Sequence, residues 1–282
     1  MREKHEEDLK KLKAFRLMDD DFMTACLDGH PECVQLILQI ILEKPDLIVV
    51  DMQVQYFIKN LQKRSVRLDV FATDSKGKKY NIEIQREDKG AGTKRARFNS
   101  SLIDSRIMET GTDFEELPET FVIFITEKDV LGEGRPLYHI ERYILESEKI
   151  FDDKAHIIYV NGEYRGENPL GYLIADFNCT EPSKMYYNKL KERVAYFKET
   201  KEGVTIMCKA MEEMRAQERE EGRMEGRLEG RLEGRLEGRQ EQLLSLINKK
   251  MKKGKSLELI AEELEETAEA ILPLYEKALA EQ

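Results

Sequence analysis

The chain has 282 residues, of which 36% are charged, and its formal net charge at pH 7 is −10. This length is enough for one good hydrophobic core with appendages. The acidic balance argues against a surface that coats nucleic acid non-specifically, although a local basic groove remains compatible with it. No apolar run approaches the roughly 18 residues that span a bilayer, so the sequence predicts no membrane partner.

Cysteine usage and the first residues indicate the compartment. The four cysteines show no CxxC spacing, which argues against a zinc site and favours a reduced setting. The start, MREKHEEDLKKLK, is charged and lacks the apolar core of a signal peptide. A cytoplasmic location is therefore expected.

The N-terminal third predicts helices followed by a strand. Residues 1–14 form a charged leader. Three consecutive acids at 19–21 precede the helical pattern FMTACL. Residues 32–43 carry apolar side chains nearly all round, which indicates a buried helix. Residues 47–57, LIVVDMQVQYF, predict a strand or strand pair that leads into a hairpin.

The stretch from 67 to 86, RLDVFATDSKGKKYNIEIQR, predicts a β-hairpin. Asp74 and Gly77 suit the first and fourth positions of a type I turn. The register that this turn implies places Asp74 opposite Lys78, and Asp69 then faces Glu83, with Gln85 on the same face. The other face is predicted to form a core layer, made of Leu68, Val70, Ala72, Tyr80, Ile82 and Ile84.

The predicted register puts two carboxylates directly opposite each other. Their Cβ atoms would lie roughly 5 Å apart, and like charges at that separation are destabilising. A proton could neutralise the pair by raising one pKa, and so could a divalent cation held by oxygen ligands. The alternative is an exposed edge at which Asp69 and Glu83 are both solvated. Apolar runs on both sides of the hairpin favour the buried pair.

A basic helix is expected after the hairpin. Thr93 is the predicted N-cap of a helix that runs to about Met108. Its first turn carries three cations, Lys94, Arg95 and Arg97. Cations oppose the helix dipole at that end, so the arrangement favours a phosphate site. The alternative is a solvated basic face that pairs with acids of the preceding loop.

The following segments complete the predicted sheet and add helices. Residues 120–126, TFVIFIT, are continuously apolar, as in a central strand covered on both faces. Residues 155–160 predict another strand, and residues 138–145 a short helix or strand. Two helices are expected at 183–198 and 204–218.

Residues 219–239 contain a tetrapeptide repeat, EGR followed by Met or Leu. A helical Gly costs about 1 kcal/mol relative to Ala. In addition, the period of four places each Glu next to another Glu and each Arg next to another Arg at i,i+4, where like charges repel. The segment is therefore a flexible spacer or a helix held by a partner. A homodimer that buries Leu228, Leu232 and Leu236 is the predicted form of the second alternative.

The C-terminal residues 240–282 predict three short helices, with starts near Gln240, Ser256 and Ala268. Their spacing is similar to a degenerate helix-turn-helix. The segment is acidic, however, whereas a recognition helix needs cations near phosphates. A small helical interaction module is the preferred interpretation.

The strand Asp, the hairpin and the Glu-x-Gln strand together resemble the PD-(D/E)XK nuclease superfamily. The strings RLDVFATD, YNIEIQR and KGAGTKRARFNSSLID are similar to the PD-(D/E)XK nuclease family transposases, also called recombination-promoting nucleases. The resemblance covers roughly residues 15–215. It implies an α/β, restriction-endonuclease-like fold over residues 15–218, with a mixed central sheet flanked by helices and a helical C-terminal extension.

The resemblance also implies a function, namely Mg²⁺- or Mn²⁺-dependent cleavage of DNA phosphodiesters, linked to transposition or recombination. In that family pattern, Asp69, Glu83 and the Ile84 carbonyl would hold the metal ion and Gln85 would orient a water. The basic first turn would hold the DNA backbone. The first helix of the superfamily often adds an acid, for which the candidates are Asp20, Asp21 and Glu32. For each of these, a cap or first-turn acid at a helix dipole is the alternative.

One departure from the superfamily pattern concerns Gln85, which stands where a Lys is usual. Gln can hydrogen-bond a water but brings no charge to stabilise a hydroxide. The alternative function is therefore a catalytically inactive nuclease-fold protein that binds DNA or acts through protein interactions.

Overall fold

The computed structural model describes residues 2–58, 66–86, 91–108, 111 and 113–280. The chain divides into two compact units, Met1–Ala210 and Met211–Gln282. The boundary predicted at 218/219 lies close to this division.

The secondary structure alternates at first and becomes all-helical later. The helices are α1 (Arg2–Ala14), α2 (Asp20–Leu27), α3 (Pro31–Ile41), α4 (Thr93–Ile107), α5 (Pro169–Asn178), α6 (Asn188–Glu199), α7 (Lys201–Met251), α8 (Leu257–Leu264) and α9 (Ala268–Ala280). The strands are β1 (Val49–Ile58), β2 (Val66–Asp74), β3 (Lys79–Gln85), β4 (Thr120–Thr126), β5 (Leu137–Ile140), β6 (Tyr143–Ile144), β7 (Lys149–Ile150) and β8 (Ala155–Asn161).

The central sheet has six strands in the order β1-β2-β3-β4-β8-β5. Strands β1, β2 and β3 pair antiparallel, β3, β4 and β8 pair parallel, and β5 closes the sheet antiparallel to β8. Strand β4 is buried along its whole length, as its continuous apolar run predicts. A mixed sheet flanked by helices confirms the predicted restriction-endonuclease-like α/β class.

The hairpin register is the predicted one. Phe71 pairs with Asn81 and Thr73 with Lys79. The backbone N–H of Asp74 donates to the carbonyl of Lys78, and Gly77 has the positive φ, 80°, that the turn needs. The turn residues therefore set the relative position of β2 and β3, as local turn chemistry should.

The predicted core layer is buried, but one member lies on a different face. Leu68 belongs to the hydrophobic cluster that contains Val122 and Phe124, together with side chains of α4. Phe124 pairs with Glu83 across β3 and β4, so this cluster covers the face that carries the acids. Gln55 of β1, between the residues that pair with Leu68 and Val70, has a φ of 51° and disturbs the regular alternation there.

Two helix boundaries differ from the prediction, and one segment takes the strand alternative of the two that the sequence left open. Thr93 is the first residue of α4 rather than its N-cap, which is Gly92 with extended backbone. The carbonyl of Gly92 accepts the N–H groups of Arg95 and Ala96, so the helical bonds begin one residue earlier than expected. The uncertain segment 138–145 contributes β5 and β6, and residues 182–184 form a short 3-10 turn before α6.

The repeat is helical, as one of its two interpretations required. Helix α7 continues through it without a break over 51 residues. Leu228, Leu232 and Leu236 are 70%, 61% and 55% exposed. A Cβ added at any of the glycines from Gly222 to Gly238 would meet nothing within 4 Å. The described part of the chain therefore leaves the whole stripe uncovered.

The end of α7 packs with α8 and α9 in the second unit. Their small core contains Ile247, Ile260 and Ile271. Helix α8 begins after Ser256, at the predicted start, and the Ser256 Oγ accepts the N–H of Leu259. None of the described helices combines the length and the apolar character that crossing a membrane requires.

Candidate active site

The candidate site is built on the neighbouring strands β2 and β3. Asp69 is 7% exposed and Glu83 is fully buried. Asp69 Oδ2 accepts the backbone N–H of Ile84 at 2.8 Å, which ties the Asp side chain to the strand that carries Glu83. The solvated-edge alternative is therefore wrong, because both carboxylates lie inside the protein.

Glu83 has a hydrogen-bond partner on each carboxylate oxygen. Asn81 Nδ2 donates to Oε1 at 3.0 Å. Arg95 Nη2 lies 3.0 Å from Oε2, and Arg95 Nη1 donates to Oε1 of Gln85 at 3.4 Å. The guanidinium of Arg95 thus bridges Glu83 and Gln85 from the first turn of α4.

Burial dominates the electrostatics of the acid pair. Loss of solvation raises the pKa of Asp69, the charge of Glu83 raises it further, and the Ile84 N–H and Arg95 act in the opposite direction. Burial also raises the pKa of Glu83, although Arg95 and Asn81 favour its charged form. The pair therefore retains protons more strongly than solvated carboxyl groups do.

Of the three additional acids predicted in the first helices, the structure brings one towards the pair. The charge of Asp20, in the first turn of α2, raises the pKa of both Asp69 and Glu83. Its own pKa is raised, chiefly by burial. Asp21 is exposed. Glu32 lies at the surface with its carboxylate 2.8 Å from His30 Nδ1.

An ion-pair network holds the start of α2 against the strand ends. Arg86 Nη1 lies 2.9 Å from Asp19 Oδ1, directly before Asp20. Arg16 Nη1 lies 2.8 Å from a carboxylate oxygen of Glu127, which follows β4. The backbone N–H of Arg16 also donates to Asp19 at 2.7 Å. This network fixes the end of the helix that carries Asp20, and the sequence offered no signal for it beyond the charges themselves.

The predicted phosphate contacts separate into two groups. Lys94 and Arg97 are exposed, whereas Arg95 is 40% exposed and contacts Glu83. Asn81 is a site residue that the sequence interpretation missed. Its signal was present, because residues two apart on a strand share a face and Asn81 precedes Glu83 by two.

The donor set fits a divalent cation. Asp69 and Glu83 offer hard oxygen ligands at one place, and a cation, the Arg95 guanidinium, already lies on Glu83. Among the described residues, no three His, Cys, Asp or Glu side chains are grouped closely enough to hold one ion. Mg²⁺ usually keeps several waters and takes one or two carboxylates, so the pair of acids is sufficient. The role of the Ile84 carbonyl stays a prediction.

Comparison with known proteins gives one finding. No curated protein and no solved structure matches the chain. Residues 31–164 match the model of a family described as PD-(D/E)XK nuclease family transposase. The matched segment contains α3, the sheet, both carboxylates and α4. The match confirms the resemblance seen in the sequence: residues 31–164 are similar to the PD-(D/E)XK nuclease transposase family.

Proposed function

We propose that the protein is a divalent-metal-dependent endonuclease that hydrolyses DNA phosphodiester bonds in transposition or recombination. The observation that carries the proposal is the buried pair Asp69–Glu83 on adjacent strands, with a cation already on one carboxylate. A structural role alone gives no reason to bury two like charges side by side, because their repulsion and desolvation both cost stability. A cation-dependent reaction gives such a reason.

Each residue of the site has a distinct role in this proposal. Asp69 and Glu83 hold Mg²⁺ or Mn²⁺ together with the Ile84 carbonyl. Such an ion, when bound, lowers the pKa of water and stabilises charge on the phosphate. Gln85 orients the attacking water through its amide. Asp20 adds negative charge that favours cation binding.

The DNA backbone is held at the first turn of α4. Lys94 and Arg97 are exposed near the start of this helix. A helix N-terminus with exposed cations attracts phosphate through both its N–H groups and its added charge. The proposed phosphate contacts thus belong to the helix whose Arg95 contacts Glu83, in spite of the negative net charge of the chain.

Cleavage of both DNA strands calls for two active sites, and we propose a homodimer that uses α7. Its uncovered stripe of Leu228, Leu232 and Leu236 lies on a helix whose glycines leave room for a second backbone. Each buried Leu contributes roughly 2 kcal/mol. Sedimentation of the wild type and of a variant with all three leucines changed to Ser tests this: the wild type should run as a dimer and the variant as a monomer. The same oligomeric state for both proteins would contradict the homodimer.

The cytoplasmic location stays a prediction.

The activity is tested with purified protein and supercoiled plasmid, in Mg²⁺, in Mn²⁺ and in a chelator. The wild type should cut only with an ion present. Asp69→Asn should abolish cleavage and keep the fold, since Asn can still accept the Ile84 N–H. Asp46→Asn, a change of an exposed Asp, is the matched control and should cut as the wild type does.

Two outcomes would contradict the endonuclease. Equal cleavage by the wild type and Asp69→Asn would remove Asp69 from the site. Retention of plasmid by the wild type without cleavage in either ion would favour the inactive DNA-binding alternative.

A further inference from the structure

Arg95 holds a position that differs from that of the two other cations in its helical turn. Its guanidinium is divided between a fully buried carboxylate and the amide oxygen of Gln85, at 3.0 Å and 3.4 Å. Yet the side chain as a whole is 40% exposed, so it reaches the acid from the surface. The residue thus connects the interior of the site to solvent.

The contact with Glu83 competes with metal binding. Glu83 Oε2 accepts a hydrogen bond from the Arg95 guanidinium, and Oε1 accepts one from Asn81 Nδ2. Both carboxylate oxygens therefore already have a partner. A divalent ion on the same carboxylate would lie within a few ångströms of a second cation, and like charges that close repel in a poorly solvated site. Arg95 and a divalent ion therefore compete for the Glu83 carboxylate, and only one of them can bind it strongly at a time.

A guanidinium displaced from Glu83 has a proposed new partner at the protein surface, namely a DNA phosphate. Lys94 and Arg97 lie exposed on the same first turn of α4, where the proposed DNA backbone runs. Arg is suited to such a transfer, because its planar fork binds carboxylate and phosphate with the same two-bond geometry.

We propose that Arg95 is an exchangeable counter-cation: it neutralises Glu83 in the metal-free protein, yields that carboxylate to a divalent ion, and then binds a DNA phosphate. The inference rests on the proposed function, and it adds an order of events. It couples metal binding to DNA binding, since each event makes the other more favourable through one side chain.

Metal binding is tested first by calorimetric titration with Mn²⁺ in the absence of DNA. The proteins are the wild type, Arg95→Gln and Arg106→Gln, a change of an exposed Arg near the other end of α4 that serves as the matched control. Arg95→Gln should bind Mn²⁺ about ten-fold more tightly, the scale of one charge-assisted hydrogen bond that no longer has to be broken. Arg106→Gln should bind as the wild type does.

The titration distinguishes this proposal from the endonuclease itself. Equal affinity of the wild type and Arg95→Gln, or weaker binding by Arg95→Gln, would overturn the exchange and leave the metal site intact. Absence of binding by both would overturn both proposals. A wild-type readout covers the case in which Arg95→Gln fails to fold: the Arg95 Nε–H resonance, assigned by a conservative Arg95→Lys change, should shift when Mg²⁺ is added. An unmoved resonance would overturn the exchange.

DNA binding provides the second arm. Affinity for a short duplex is measured against salt, without metal and with Ca²⁺, which also takes oxygen ligands. With Ca²⁺, Arg95→Gln should reduce the log–log salt slope by about 0.9, the value of one phosphate contact. Without metal the slope should not change, because Arg95 is then held by Glu83. An equal reduction in both conditions would show a permanent phosphate contact and overturn the exchange.

Discussion

Two glutamates, one in each unit, contact cations and respond to them in opposite ways. Glu83 has Arg95 at 3.0 Å, yet its pKa is raised. Glu263 has Lys250 and Lys255 as partners, and they lower its pKa to about 2. The difference is the surroundings: Glu83 is fully buried, whereas the side chain of Glu263 is 32% exposed. A nearby cation therefore stabilises a carboxylate only when burial does not cost more.

The comparison separates charges that hold the fold from charges that cost it stability. In the second unit, the Glu263 cluster joins the end of α7 to α8, and there the two lysines outweigh the small effect of burial. In the first unit, the acid pair lies within the sheet, where removal of an ion from water costs several kcal/mol even after relaxation. Such a cost is expected of a functional site, because perturbed pKa values concentrate at sites that use them.

The largest effect should come from removal of one charge of the buried pair. In a metal-free buffer, Asp69→Asn should raise the free energy of unfolding by roughly 2 kcal/mol at pH 8, because it relieves both repulsion and desolvation. Both pKa values are raised on folding, so the folded state holds more protons and wild-type stability falls as pH rises above the ordinary carboxyl range. Urea unfolding at pH 4 and pH 8 measures the effect.

The pH dependence is the sharp part of this test. The difference between Asp69→Asn and the wild type should be large at pH 8 and close to zero at pH 4, where the wild-type carboxyls are protonated. Asp46→Asn, at an exposed position, should show no such trend. A variant less stable than the wild type at pH 8 would mean that the Asp69 charge supports the fold.

A smaller effect is expected at the exposed cations of α4. Replacement of both Lys94 and Arg97 by Ala should weaken DNA binding and reduce the log–log salt slope by about 1.8, or 0.9 for each lost phosphate contact. Stability should barely change, because both side chains are solvated. Filter binding over a range of salt concentrations measures the slope. An unchanged slope would mean that this face of α4 is merely solvated.

The parts of the site that the sequence predicted are those set by local chemistry. Asp74 and Gly77 determine the turn, the turn determines the register, and the register brings Asp69 beside Glu83. Alternation along β3 also carries Asn81 to the same face. Where alternation is disturbed, at the left-handed Gln55, the prediction placed Leu68 on the wrong face, because a positive φ in a non-Gly residue leaves no sequence signal.

The parts that the sequence did not predict depend on packing between distant residues. Arg95 contacts an acid twelve residues away, and that contact depends on how α4 lies over the sheet. From the sequence alone, its charge and its position in a first helical turn indicated phosphate. Helix α7 shows the opposite case: local propensity disfavours its glycines, yet the structure is helical throughout the repeat.

The smallest predicted effect concerns the exposed member of the comparison. Glu263→Gln removes the charge that contacts Lys250 and Lys255, and it should lower Tm by roughly 1–3 °C at pH 7, as solvated ion pairs contribute little. Since folding lowers the pKa of Glu263 from 4.5 to about 2, its contribution is present above pH 4.5 and is lost as pH falls towards 2. Thermal unfolding of the wild type, Glu263→Gln and the exposed neighbour control Glu262→Gln, at pH 7 and pH 3, measures this. The difference in Tm between Glu263→Gln and the wild type should shrink at low pH. The difference for Asp69→Asn also shrinks at low pH, but there the variant is the more stable protein, whereas Glu263→Gln is the less stable one. A Glu263→Gln protein that is more stable than the wild type at pH 7 would remove the contrast between the two glutamates, because solvation would then not explain why one charge supports its unit and the other does not.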